Sequence, residues 1–204
     1  MRGKGKTNYV KLKLYETPIT PAYIVDIRNE FKHIPAFLSY DHFLYSLHDP
    51  KHSHKYIRAP VIKGYYHEGQ VRFCFNKTDE LLGLFKLMLH FRNCTIVYDE
   101  ADALFNINSR IKKCMEDVFL GSRNNNVSSF YIGKRPSLLP ILVRSQADRF
   151  TLFCVEEEWD INYFEKRVKQ SFPKDIFKLE RGEAVIIIHG EKPRVETFDK
   201  FKGE

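Results

Sequence analysis

Apolar residues along this chain fall into short continuous runs separated by longer amphipathic stretches. Residues 22–26 (AYIVD) form an apolar run that ends in an acid and predict a buried strand. Residues 71–76 (VRFCFN) alternate and predict a second. Thr78, Asp79 and Glu80 then supply helix-start chemistry, a cap followed by acids in the first turn. From Leu81 to Phe91 the pattern continues as a helix that is apolar around much of its circumference. Residues 95–98 (TIVY) predict a β-branched strand stopping at Asp99 and Glu100, and 110–120 predict a helix with Gly121 as its stop. Strands are expected again at 128–132 and 149–155, and a helix at 159–170. A hairpin should pair 184–189 (AVIIIH) with 194–198 across a turn at 190–193. Short apolar strands alternating with helices predict an α/β fold with a mainly parallel central sheet and a C-terminal β-hairpin.

Residues 29–69 break this rhythm and are rich in His, Tyr and Pro. His48, His52 and His54 lie close in sequence, but no carboxylate or cysteine pattern completes a metal site, so surface histidines are the simpler account. No internal repeat and no Gly/Ser-rich or Pro-rich linker appears. Residues 1–204 are therefore expected to form one domain, with about 30–70 a candidate insertion.

Composition narrows the class. The 204 residues, 43% hydrophobic and 29% charged, suffice to bury a core without staples and exclude wholesale disorder. No apolar run approaches the roughly 20 residues of a membrane span, and no secretory signal opens the chain. Cys74, Cys94, Cys114 and Cys154 contain no CxxC pair, so reduced thiols in a cytosolic setting are expected. Lys and Arg number 33 against 26 Asp and Glu, giving +7, a surplus compatible with a polyanionic partner and equally with plain solubility. Basic residues gather at 2–13 and 166–178, and 156–160 is acidic.

Two strings carry the candidate chemistry. The chain opens Gly3-Lys4-Gly5-Lys6-Thr7 before an expected helix, the end of a phosphate-binding loop. Glycines let backbone N–H groups turn toward phosphate oxygens, and a helix N-terminus favours the anion. Lys6 would neutralise the β- and γ-phosphates of ATP, and the Thr7 hydroxyl would ligate Mg2+. The full pattern needs a glycine that falls just before Met1 and a strand feeding the loop, so either the chain starts at an internal methionine or the loop is short in nature. A basic tail is the alternative account. The second string is Thr95-Ile-Val-Tyr-Asp99-Glu100, a strand delivering two acids at its carboxyl edge, where ligands of open α/β sheets sit. Asp99 would hold Mg2+ and Glu100 would act as general base toward the attacking water. Together the strings read as Walker A and Walker B; taken alone, the acids read as a solvated helix cap. Asp99 to Asp102 also spells DEAD, but a helicase core needs two such domains and a Ser-Ala-Thr stretch where Gly133-Lys-Arg-Pro136 stands, so the match is read as accidental.

Beyond the acids run Arg123-Asn-Asn-Asn-Val127 to Pro140, with Lys134-Arg135-Pro136 within it, and Arg144-Ser-Gln-Ala-Asp148-Arg149 to Phe153. In these two stretches the chain resembles the FtsK/HerA group of P-loop DNA-pumping ATPases. The resemblance covers about 95–164 and part of the phosphate loop, and in size the chain is most similar to viral genome-packaging ATPases. It implies a three-layer P-loop NTPase fold of the RecA type. It places Lys134 where the family carries a sensor glutamine; a lysine there can contact the γ-phosphate but cannot orient water as an amide does. Arg135 and Pro136 match the pattern. Arg123 is implied as an arginine serving a neighbouring subunit's nucleotide, with Arg144 and Arg149 as alternatives.

The resemblance further implies a hexameric or pentameric homo-oligomeric ring threading double-stranded DNA, located in the host cytoplasm or on the virion. Arg110, Lys112 and Lys113 are the candidate DNA contacts, although their spacing also suits a solvated helix face. A capsid or portal-vertex protein is a candidate further partner, and residues 37–66 could be an insertion that contacts a portal, capsid or membrane protein. Trp159, Tyr163, Phe164 and Phe172 suggest base stacking less well than the core face of a helix. Two other functions compete: a host or plasmid DNA-transfer or segregation ATPase, and a degenerate P-loop assembly factor without hydrolysis.

Overall fold

The computed structural model describes residues 4–16, 22–32, 34, 36–41, 43, 70–75, 77–153, 158–168, 179–180 and 182–199. The chain divides into two compact units, residues 13–134 and residues 1–12 with 135–204. The histidine cluster at 48–54, Cys154 and Phe172 lie outside the described residues.

The larger unit is built on a five-stranded sheet of order β2-β3-β1-β4-β5, every pairing parallel. Its strands are β1 (Ala22–Val25), β2 (Ala36–Phe37), β3 (Gln70–Phe73), β4 (Cys94–Tyr98) and β5 (Val127–Tyr131). β1 and β4 are buried along their whole length, which explains their largely apolar sequence, Thr95 of β4 being the polar exception: strands covered on both faces have no polar side to show. β5 stands at one edge and is only partly buried.

Helices α2 (Thr78–Met88) and α4 (Ser109–Ser122) pack on each other; α2 buries Leu81, Leu82, Leu84, Phe85 and Met88, and α4 buries Ile111, Met115, Val118 and Ser122. Between β4 and α4 lies a short helix, α3 (Ala101–Phe105). Five residues are too few to show a period, so this element was not legible in sequence.

Two end signals depart from expectation. Lys77, not Thr78, is the N-cap of α2 and makes no side-chain cap, while Thr78 already lies in the helix. Asp79 and Glu80 nevertheless sit in the first turn, where the helix dipole favours them. Gly121 does not stop α4, which runs on to Ser122. The left-handed residue that lets the chain turn toward β5 is Asn126, at φ 54°.

The smaller unit contains an antiparallel sheet of order β6-β7-β8: β6 (Arg149–Leu152), β7 (Glu183–Ile188) and β8 (Arg194–Thr197). The terminal hairpin is as expected, whereas β6 is shorter than the predicted 149–155 strand. Helix α1 (Lys4–Glu16) begins at the Gly-Lys-Thr string, and its residues up to Leu12 belong to this unit. Helices α5 (Ile141–Gln146) and α6 (Glu158–Val168) complete it. Phe164 of α6 is fully buried in a cluster with Leu152, Val185 and Ile187.

Candidate functional site

Register brings the carboxyl ends of β1 and β4 side by side. Val25 lies opposite Tyr98, and the Asp99 N–H donates to the Val25 carbonyl at 2.9 Å. The next residues, Asp26 and Asp99, therefore leave the sheet together, and both are buried. Asp26 is fully engaged: its carboxylate accepts the N–H groups of Glu30 and Phe31, each at 2.9 Å, and pairs with Arg72 at 3.2 Å. Asp99 differs, because its Oδ2 is buried with no hydrogen-bond partner. Burial first, then repulsion from Asp26, Glu100 and Glu30, pushes the Asp99 carboxyl up to about 7 against the pull of a hydrogen bond from the Glu100 backbone. A buried carboxylate with an open lone pair, ringed by like charge, fits a cation. Among the described residues no three His, Cys, Asp or Glu side chains converge as a metal cage, so such an ion would need ligands from bound phosphate as well.

Glu100 follows in the left-handed backbone region, φ 50° and ψ 46°, which an L side chain adopts at a cost of about 1–3 kcal/mol. Its carbonyl accepts the N–H of Ala103 and Leu104, so the residue doubles as the N-cap of α3. Its carboxylate lies between two cations. Arg28 Nη1 is 3.3 Å from Oε1, and Lys134 Nζ is 3.5 Å from Oε2. Lys134 reaches it because β5 runs alongside β4: Ile132 N–H bonds the Tyr98 carbonyl at 3.0 Å, and Ala101 N–H bonds the Ile132 carbonyl at 2.7 Å. Asp102, the last letter of the DEAD string, is buried in α3 and its Oδ1 has no hydrogen-bond partner.

The structure thus brings Asp99, Glu100 and Lys134 together within one unit. Gly5, Lys6 and Thr7 belong to the other. They form the opening of α1, all partly buried; Gly3 lies outside the described residues, and only the backbone of Lys4 is described. Gly5 has a packing reason of its own, since a Cβ there would stand 2.9 Å from the Phe153 ring.

Arg123 is the C-cap of α4, exposed, with no ion pair among the described residues. It precedes β5, whereas Asp99 follows β4. Five residues of strand at about 3.3 Å each therefore separate it from the acids of its own chain by roughly 15 Å or more. Arg144 and Arg149 are engaged locally. Arg144 donates to the Leu139 carbonyl at 2.9 Å and lies over the Tyr163 ring, while Arg149 bonds Tyr9 and pairs with Glu196 at 3.2 Å. Arg110 and Lys112 are exposed on α4, and Lys113 pairs with Asp117 one turn on at 2.7 Å. Trp159 corrects an expectation: it is 83% exposed and no part of a core face, because α6 buries the opposite side through Asp160 and Phe164.

Arg28 and the Asp26–Arg72 pair were not foreseen. The acid ending 22–26 was visible, but a lone arginine after a strand carries no local signal. Its pairing with Glu100 depends on a strand neighbour more than sixty residues away in sequence.

No protein-family model and no curated protein matches the chain. Solved structures do. The fold is similar to that of the DNA-packaging ATPase B204 from Sulfolobus turreted icosahedral virus, with a TM-score of 0.63 at 14% identity over 96% of this chain and 93% of that one. It is equally similar to the genome packaging NTPase B204 from Sulfolobus turreted icosahedral virus 2 in complex with ATP-gammaS, at a TM-score of 0.63 and 14% identity over 97% and 93%. The complex of the latter with AMPPCP gives 0.60 at 15% identity over 97% and 94%.

Proposed function

We propose that this chain is an ATP-hydrolysing motor that translocates double-stranded DNA, acting in viral genome packaging. The observation that carries it is the pair Asp99–Glu100 at the carboxyl end of a buried parallel strand, with Glu100 on strained backbone between two cations. The supporting context is a fold shared with proteins described as packaging NTPases, two of the compared structures being complexes with ATP analogues.

In this assignment Gly3 to Thr7 bind the nucleotide phosphates, with Lys6 neutralising the β- and γ-phosphates at the start of α1. Thr7 and the open Oδ2 of Asp99 would hold Mg2+, which supplies charge neutralisation on the phosphates when bound. Glu100 accepts a proton from the attacking water, and Lys134 contacts the γ-phosphate. Arg123, remote from its own acids, serves the neighbouring subunit, so the working form is a hexameric or pentameric ring. Arg110, Lys112 and Lys113 on the exposed face of α4 contact DNA phosphates without reading sequence. The chain acts in the host cytoplasm or on the virion, with a capsid or portal-vertex protein as further partner. No helix among the described residues is long and apolar enough to cross a membrane.

A second function, a P-loop assembly factor without hydrolysis, is favoured by two observations. Gly5 is explained by Phe153 alone, and Lys134 is spent on Glu100 in place of an amide that orients water. ATP turnover separates the two. It should be measured with and without duplex DNA on this chain, on its Glu100→Gln variant and on a version extended upstream of Met1 where the reading frame permits. DNA-stimulated hydrolysis lost in Glu100→Gln supports the motor; absence of both turnover and nucleotide binding in every form overturns it.

A further inference from the structure

Arg28 reaches the Glu100 carboxylate from a neighbouring strand end. It lies two residues beyond Asp26, and Glu100 lies one beyond Asp99, on adjacent parallel strands in register. The turn that carries it is firmly built. Asp26 takes two backbone N–H groups of that turn and Arg72, while Asn29, left-handed at φ 60°, accepts a hydrogen bond from the same Arg72. Arg72 is thus taken up by Asp26 and Asn29 through Nη1, while its Nε has no hydrogen-bond partner, and Arg28 is left to face Glu100.

The two oxygens of Glu100 are in different states. Oε1 lies 3.3 Å from Arg28 Nη1. Oε2 is buried and makes no hydrogen bond, with Lys134 Nζ facing it at 3.5 Å. We propose that Arg28 is a positioning residue that holds Glu100 through Oε1, so that Oε2 is the oxygen that takes the proton. Lys134 is the cation that leaves Oε2 when the γ-phosphate arrives.

This rests on Glu100 being the general base of an ATPase. In that step Oε2 gains a proton as the water oxygen bonds the γ-phosphorus. The bond from phosphorus to the β–γ bridging oxygen breaks, and ADP leaves with the electron pair. The cations suit their parts, because a guanidinium is always charged and forked, whereas an ammonium is a point charge on a flexible stem that trades one anion for another. Arg28 is half exposed, so its pair with Glu100 adds little to stability; its effect is geometric and appears in turnover.

The test is steady-state ATP turnover with linear duplex DNA for the full chain and its Arg28→Ala, Arg28→Lys, Glu100→Gln and Arg28→Ala/Glu100→Gln variants. Arg28→Ala should lower kcat on the order of 10- to 100-fold while KM for ATP stays within about two-fold. Arg28→Lys should recover part of that loss, and the double variant should be no slower than Glu100→Gln alone. Thermal melts check folding, and if Arg28→Ala does not fold, Arg28→Gln takes its place against Arg28→Lys. An Arg28→Ala enzyme with wild-type kcat, or one that loses only KM, overturns the assignment, as does an Arg28→Lys variant no better than alanine. Wild-type turnover lost in Glu100→Gln but kept in Arg28→Ala removes the Arg28 role alone. A wild-type chain with no turnover removes the hydrolysis assignment and the Arg28 role with it.

Discussion

Glu100 carries a backbone cost in the site, a left-handed conformation under an acidic side chain. Glutamine keeps that backbone and the side-chain shape but cannot accept a proton. Glu100→Gln is therefore expected to lower kcat by about 100-fold or more while fluorescent ATP-analogue binding persists. Asp99 makes a prediction of different sign. Its carboxyl is raised from 3.8 to about 7, chiefly by burial, so between those values the folded chain binds a proton that the unfolded chain has lost. Stability from this group is therefore intact near its unfolded pKa and falls as pH rises through about 7. Without nucleotide and in chelator, Asp99→Asn should melt above wild type at about pH 8, and the difference should vanish toward about pH 4. A constant difference across that range would refute the assignment of the shift.

The elements are held by contacts that single substitutions can address. Asn108 caps α4, its side-chain oxygen accepting the Ile111 N–H at 2.9 Å, so Asn108→Ala should cost about 1 kcal/mol in denaturant unfolding. Gly83 sits inside α2, where alanine would ordinarily favour the helix by about 1 kcal/mol. A Cβ there, however, would stand 2.6 Å from the Tyr40 ring, so Gly83→Ala should destabilise despite its better propensity. A gain in unfolding free energy would show that Tyr40 moves freely. Element identity was largely visible in sequence: β1, β4 and the β7–β8 hairpin emerged from apolar runs, and α2 and α4 from their period. The misses were ends and short pieces. Lys77 rather than Thr78 caps α2, Gly121 lies inside α4, and α3 is one turn long, because caps and single turns depend on where the chain goes next.

At the scale of the molecule, the +7 charge and the exposed bases of α4 predict DNA binding governed by phosphate contacts. Affinity for linear duplex should fall by more than about tenfold between roughly 50 and 200 mM salt, without preference for sequence. Persistence at high salt would count against Arg110, Lys112 and Lys113 as the contacts. The proposed ring is tested by mixing: Arg123→Ala and Glu100→Gln subunits, each expected to be inactive alone, should regain turnover together, since a mixed interface can combine an intact arginine with an intact acid. No recovery would return Arg123 to the role of a surface cation.

Local pattern alone was enough for the α/β class, the strand that ends in Asp99 and Glu100, the helix behind Gly-Lys-Thr and the terminal hairpin. The elements among these are written in short runs of adjacent residues, where hydrophobic period and turn chemistry act directly, and their alternation gives the class. It took the folded arrangement to lock Asp26 with Arg72 while Asp99 keeps an open oxygen, and to set Glu100 between Arg28 and Lys134. Those relations depend on which strands are neighbours and in what register. Parallel pairing joins residues far apart in the chain, and no local pattern encodes it.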